Sequence, residues 1–151
     1  MTLSKMTLKG DTAKWRSWTR KVSLINLALL LSAPIAAALD RELTQEYSTC
    51  VENSHGVTVE MVDCMLAETK RQDTQLNDNY KALMLKLTSE RKKILLDAER
   101  IWIQFRDANC RFYEDTNGGT SATLAAKECF LNATADRAAE LKTLLAHEQN
   151  R

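Results

Sequence analysis

Beyond residue 38 the sequence holds three glycines, Gly56, Gly118 and Gly119, and no proline. An all-β sandwich or barrel needs turn residues about every 8 to 12 positions, so this stretch cannot be cut into short strands. Helix is the default, and the glycines mark two turns. A chain of 151 residues allows one ordinary domain, and an apolar share of 44% is too high for a disordered tail.

Residues 1–38 have the form of a secretory signal. Lys14, Arg16, Arg20 and Lys21 precede the apolar run Val22 to Leu31, and Ala36 and Ala38 supply the small residues of a cleavage site. The competing reading is a membrane anchor, but the apolar stretch is at the short limit for a span and contains Asn26 and Pro34. Cleavage after Ala38 is expected, with Met1 or Met6 as the start. No cysteine follows the site, so no lipid attachment is expected. The chain has 21 Lys and Arg against 20 acids; the leader takes six of the basic residues and one acid, leaving fifteen against nineteen, a charge of −4. That domain lacks the positive footprint a nucleic acid requires, and favours a basic partner if any.

All four cysteines, Cys50, Cys64, Cys110 and Cys129, follow the leader, and in an exported chain they read as two disulfides. A zinc site is disfavoured: there is no C-x-x-C, and neither His55 nor His147 has ligand spacing to a cysteine. Apolar residues follow helical spacing. Val59, Val62, Leu66, Leu76, Tyr80, Leu83 and Leu87 fit one long helix capped by Thr58; Ile94, Ala98, Ile101, Phe105, Ala108 and Phe112, widened by Leu95 and Trp102, fit a second capped by Ser89. Thr88-Ser89 separates the two, the alternative being one helix that runs through with a kink. Leu124, Leu131, Thr134, Ala138, Leu141 and Leu145 fit a third from about Thr120, and a short helix fits Leu43 to Val51. The expected fold is all-α, an antiparallel bundle of three long helices plus a short N-terminal one. Residues equidistant from a helical turn meet, which pairs Cys110 with Cys129 about Gly118-Gly119 and Cys50 with Cys64 about Gly56.

Polar residues on these stripes need partners. Asp73, Asn77, Tyr80, Trp102, Phe105, Arg106, Asp107 and Arg137 are expected to form a structural network, with Arg106 gripping a carboxylate across the helix pair and Trp102 and Phe105 filling core. A catalytic carboxylate with an arginine clamp is the sharper alternative. Nothing else points to an enzyme, cofactor or metal: the cysteines are bonded, and no G-x-S-x-G, H-E-x-x-H, phosphate loop or EF-hand occurs. Asn132-Ala133-Thr134 matches the glycosylation pattern, but in mid-helix.

The elements Asp73-x-x-Leu76-Asn77-x-x-Tyr80, Trp102-x-x-Phe105-Arg106-Asp107-x-x-Cys110, Gly118-Gly119, Cys129 and Thr134-x-x-Arg137-x-x-x-Leu141 together resemble the LprI-like lysozyme-inhibitor family. The resemblance spans about Thr49 to Leu141, and Cys50 and Cys64 stand where the family's early pair is expected. It implies a small exported helical protein of bacteria, free in the periplasm or secreted, whose partner is another protein, with lysozyme as the named target. Under that reading the exposed turn Glu114, Asp115, Thr116, Asn117, Gly118 and Gly119, held by Cys110 and Cys129, is the binding element that occludes the lysozyme cleft. The alternative is a periplasmic interaction or accessory module with no lysozyme target. Cleavage is checked by mass spectrometry of the exported protein: an N-terminus at Leu39 is expected, and retention of residues 1–38 contradicts it.

Overall fold

The computed structural model describes residues 41–151; the leader and the cleavage site after Ala38 lie outside the described residues. Four helices follow in order: α1 (Gln45–Asn53), α2 (Thr58–Lys86), α3 (Ser89–Arg111) and α4 (Gly119–Gln149). Short connections make α3 antiparallel to both neighbours, so α2 and α4 run parallel and pack most extensively on each other. Leu76, Leu83, Leu87, Ala138 and Leu141 form a buried cluster, with Tyr80, Leu95, Trp102 and Leu145 packed against it. On α4 the buried positions include Ala126, Ala135 and Ala138, and such small side chains allow close helix approach. Asn79 Nδ2 accordingly reaches the Ala138 carbonyl of α4, at 3.0 Å.

Local chemistry sets the helix ends one residue from where the sequence places two of the caps. Val57 and Thr88 are the N-cap residues of α2 and α3, whereas Thr58 and Ser89 are the first helical residues. The Val57 side chain caps nothing, while the Thr88 hydroxyl accepts from the Arg91 amide. Between α1 and α2 the chain turns through His55 and Gly56, with φ +48° and +81°. Both disulfides join the expected cysteines, with Cα–Cα distances of 5.8 Å for Cys50–Cys64 and 5.4 Å for Cys110–Cys129.

Two stripes depart from the sequence reading. In α2, Val59 and Leu66 are exposed, and Met65, Glu68 and Gln72 are buried instead. Alternating steps of three and four average 3.5 residues, but a straight helix turns every 3.6, a drift of about 20° per heptad. Counted back from Leu87 over four heptads, Val59 lies about 80° off the buried face. In α3 the discrepancy is larger: Ile94, Ala98, Ile101, Phe105, Ala108 and Phe112 all face solvent. Leu95, Glu99, Trp102, Arg106 and Cys110 point inward or are partly covered. Cys110 sits on the side of the helix opposite that apolar stripe, and its bond to Cys129 of α4 decides which side is inside. Phe105 therefore fills no core.

The buried half of α2 is held by an unexpected polar knot. Glu68, fully buried, accepts from the Thr44 amide (3.0 Å), the Thr44 hydroxyl (2.6 Å), Arg71 Nε (2.7 Å) and Gln72 Nε2 (2.7 Å). Thr44 is the N-cap of α1, and its hydroxyl also accepts from the Tyr47 amide, so the carboxylate sits at the positive end of that helix. Gln72 donates in addition to the Glu42 carbonyl. The segment before α1 is also tied to α4, by a bidentate pair from Arg41 to Asp136 with both bonds at 2.6 Å.

Burial opposes the charged form of Glu68, but hydrogen bonds from Thr44, Gln72 and Arg71 outweigh it and hold the carboxyl below the ordinary range. A folded pKa below the unfolded value of about 4.3 means that the contribution is complete above that pH and is lost as pH falls through the folded value. Glu68→Gln is expected to cost about 3 kcal/mol at pH 7. The gap to wild type should close towards pH 2 in denaturant titrations; a gap independent of pH contradicts the assignment.

Candidate functional site

The connection from α3 to α4 is built to be rigid and exposed. Tightened amide bonds from Phe112, Tyr113 and Glu114 to the carbonyls of Asn109, Cys110 and Arg111 close the end of α3. Asp115 then organises the turn: its Oδ1 accepts from the Asn117 amide at 2.8 Å, and its carbonyl accepts from the Gly118 amide at 3.1 Å. Each glycine has a separate reason. A Cβ on Gly118 would lie 2.7 Å from that of Ala122, and Gly119 has φ +58°, a conformation that disfavours side chains. All of Glu114, Asp115, Thr116, Asn117, Gly118 and Gly119 are exposed. A shallow hollow of about 250 Å³ lies beneath them, lined by Glu114, Asp115, Thr116, Ala122, Thr123, Ala126 and Lys127. The element is thus an acidic projection, closed at its base by Cys110–Cys129.

The residues expected to form one network lie in separate pieces. Asn77 Nδ2 donates to the Asp73 carbonyl at 2.7 Å and to its carboxylate at 3.1 Å, both residues being exposed. Arg106 bonds its chain neighbour Asp107 at 2.9 and 3.0 Å, with its guanidinium 5.0 Å from the Trp102 ring centroid and 5.5 Å from that of Phe130. The reach across the helix pair is made instead by Arg137 of α4, which grips Glu99 of α3 at 2.6 and 3.1 Å and also bonds Glu140. Asp73, Asn77, Tyr80, Trp102 and Arg106 nevertheless line one cleft of about 260 Å³ between α2 and α3, together with Leu76, Leu96, Glu99, Arg100 and Ile103. Phe105 lies outside it. No group of three His, Cys, Asp or Glu side chains among the described residues is placed to hold a metal ion.

Sequence reasoning missed Glu68, Gln72 and Glu99. Each occupies a buried helical position where an apolar residue is the natural expectation, and each is satisfied by partners distant in sequence. A signal existed for Glu99: it falls between Leu95 and Trp102 at helical spacing.

A small all-helical domain with two disulfides and one rigid exposed turn is the class these features define. A family model described as lysozyme inhibitor LprI matches residues 50–141, more than half of the chain, and the protein belongs to that family. No curated protein and no solved structure matches the chain. The disulfides and the family fit an oxidising, extracytoplasmic setting, and no helix among the described residues is long and apolar enough to cross a membrane.

Replacing Cys110 and Cys129 together by Ser is expected to lower stability by about 3 kcal/mol, the loop-closure entropy of a link of this span. Gly119→Ala should cost about 1 kcal/mol through its positive φ. Denaturant midpoints measure both, and unchanged midpoints contradict the rigid turn.

Proposed function

We propose that this protein inhibits lysozyme by lodging the turn Glu114–Gly119 over the enzyme's catalytic cleft. Membership of the LprI family supports the target. The observation that carries the choice of element is the exposed acidic turn closed at its base by a disulfide. Lysozyme cuts glycan with two carboxylates in a cleft, so an inhibitor needs only to fill or cover that cleft. A turn already fixed by Cys110–Cys129, Asp115 and two glycines loses little conformational entropy on binding. Glu114 and Asp115 add negative charge that favours encounter with a basic enzyme surface. No cofactor or metal takes part in this reading.

The same reading places the working domain at residues 39–151, released by cleavage after Ala38 into the periplasm or the medium. Its reach is set by the compartment in which lysozyme meets the cell wall. A second reading, an envelope interaction module with no lysozyme target, draws on the exposed apolar face of α3.

Purified protein in micromolar excess should suppress hydrolysis of cell walls by c-type lysozymes. Changing Glu114 and Asp115 together to Ala should raise the concentration for half-inhibition on the order of 10-fold or more. Full lysozyme activity in the presence of wild type, or an unaltered dose curve for the double variant with its helicity intact, contradicts the proposal.

A further inference from the structure

The side of α3 that carries Ile94, Ala98, Ile101, Phe105, Ala108 and Phe112 is exposed along its whole length. Ile94, Ile101, Phe105 and Phe112 are 62, 67, 64 and 82% exposed. Isolated exposed hydrophobics need no explanation, but an unbroken row does. Ile94 and Phe112 are eighteen residues apart, which is five turns, so the row runs straight for about 27 Å. Its steps alternate four and three, the spacing of a coiled-coil seam.

We propose that this face is the seam of an antiparallel, two-fold dimer of the chain itself. Three observations select that occupant and that orientation. The first is size. With the axis at the level of residue 103, Ile94 meets Phe112, Ala98 meets Ala108, and Ile101 meets Phe105. Every large layer then combines one Ile with one Phe, whereas a parallel pair stacks Phe on Phe and Ile on Ile in layers of unequal volume.

The second is charge. Asp97, Gln104 and Arg111 follow one edge of the row at heptad spacing, in the position that faces its own kind across an antiparallel seam. Antiparallel docking sets Asp97 against Arg111 of the second copy, twice by symmetry, and Gln104 against itself. Within the chain Asp97 has only a 3.5 Å exposed contact to Arg100, which leaves it available. A parallel pair brings Asp97 opposite Trp102 and makes no such ion pair.

The third is area. The four large side chains offer roughly 100 to 150 Å² each, about 500 Å² per copy. Two copies together reach about 1,000 Å², where specific interfaces begin.

Because the acidic turn follows the C-terminal end of α3, this arrangement sets the two turns at opposite ends of the dimer. Each remains free to meet its own enzyme, a consequence that rests on the inhibitory reading; the dimer does not.

Sedimentation of the purified, disulfide-bonded protein from about 1 to 100 µM brackets a micromolar dimer. A mass of two chains is expected, and Ile101→Glu or Phe105→Glu should raise the dissociation constant on the order of 100-fold with helicity unchanged, since both copies carry the change. Asp97→Arg alone should weaken the dimer, and adding Arg111→Asp should restore it. A mass of one chain throughout, or a dimer indifferent to Ile101→Glu, overturns the proposal; failure of the charge exchange to restore association overturns the antiparallel register. Lysozyme inhibition by the Ile101→Glu monomer separates the two readings. Retained inhibition with lost association supports the seam, while a monomeric wild type whose inhibition is lost in this variant assigns the face to the enzyme and overturns the dimer.

Discussion

The bond between Cys110 and Cys129 fixes the rotation of α3 about its own axis, and most of the molecule's surface follows from that rotation. It lies at one end of a series of links along the antiparallel helices, with Glu99–Arg137 in the middle and Arg91–Glu148 at the far end. Only the disulfide is covalent, and it lies next to the turn. It therefore does two things: it directs Trp102, Arg106 and Leu95 towards α2 and α4, and it closes the base of the acidic projection. The apolar row from Ile94 to Phe112 is left outside as a direct result.

A second constraint holds α1. α1 has no buried residue of its own, so burial of apolar surface does little to hold it in place. Its attachment rests on the Cys50–Cys64 bond and on Glu68, which gathers the α1 cap, Arg71 and Gln72 around one carboxylate. Breaking a buried, fully satisfied network of this kind leaves a charge without partners, which is why it fixes geometry strongly even where its net contribution is modest.

Much of this was legible in the sequence, for identifiable reasons. The glycines located the first and last connections and Thr88-Ser89 the one between α2 and α3, and cysteines equidistant from a glycine turn pair across it, so the helix order and both disulfides followed. The turn Glu114–Gly119 was likewise visible, because Gly118-Gly119 interrupts two long helical patterns. The rotation of α3 was not legible: Ile94 and Leu95, or Ile101 and Trp102, are adjacent pairs that each offer an apolar residue to either face. The covalent restraint at Cys110 decides between them, and the sequence reading used that restraint for pairing but not for phase. In α2 the drift of a 3.5-residue pattern on a 3.6-residue helix hid the true face, and Glu68 and Gln72 concealed it further by placing polar groups inside. The split of the expected network has a similar origin. Arg106 found a carboxylate one residue away, in Asp107, and Arg137 took the longer reach to Glu99.

The most direct measurement of the central claim is amide hydrogen exchange of the protein with and without a c-type lysozyme. Slowed exchange concentrated at residues 113–120, with α1 and α2 unchanged, is the result this account predicts. Protection elsewhere, with the amides of the turn exchanging as in the free protein, would contradict it.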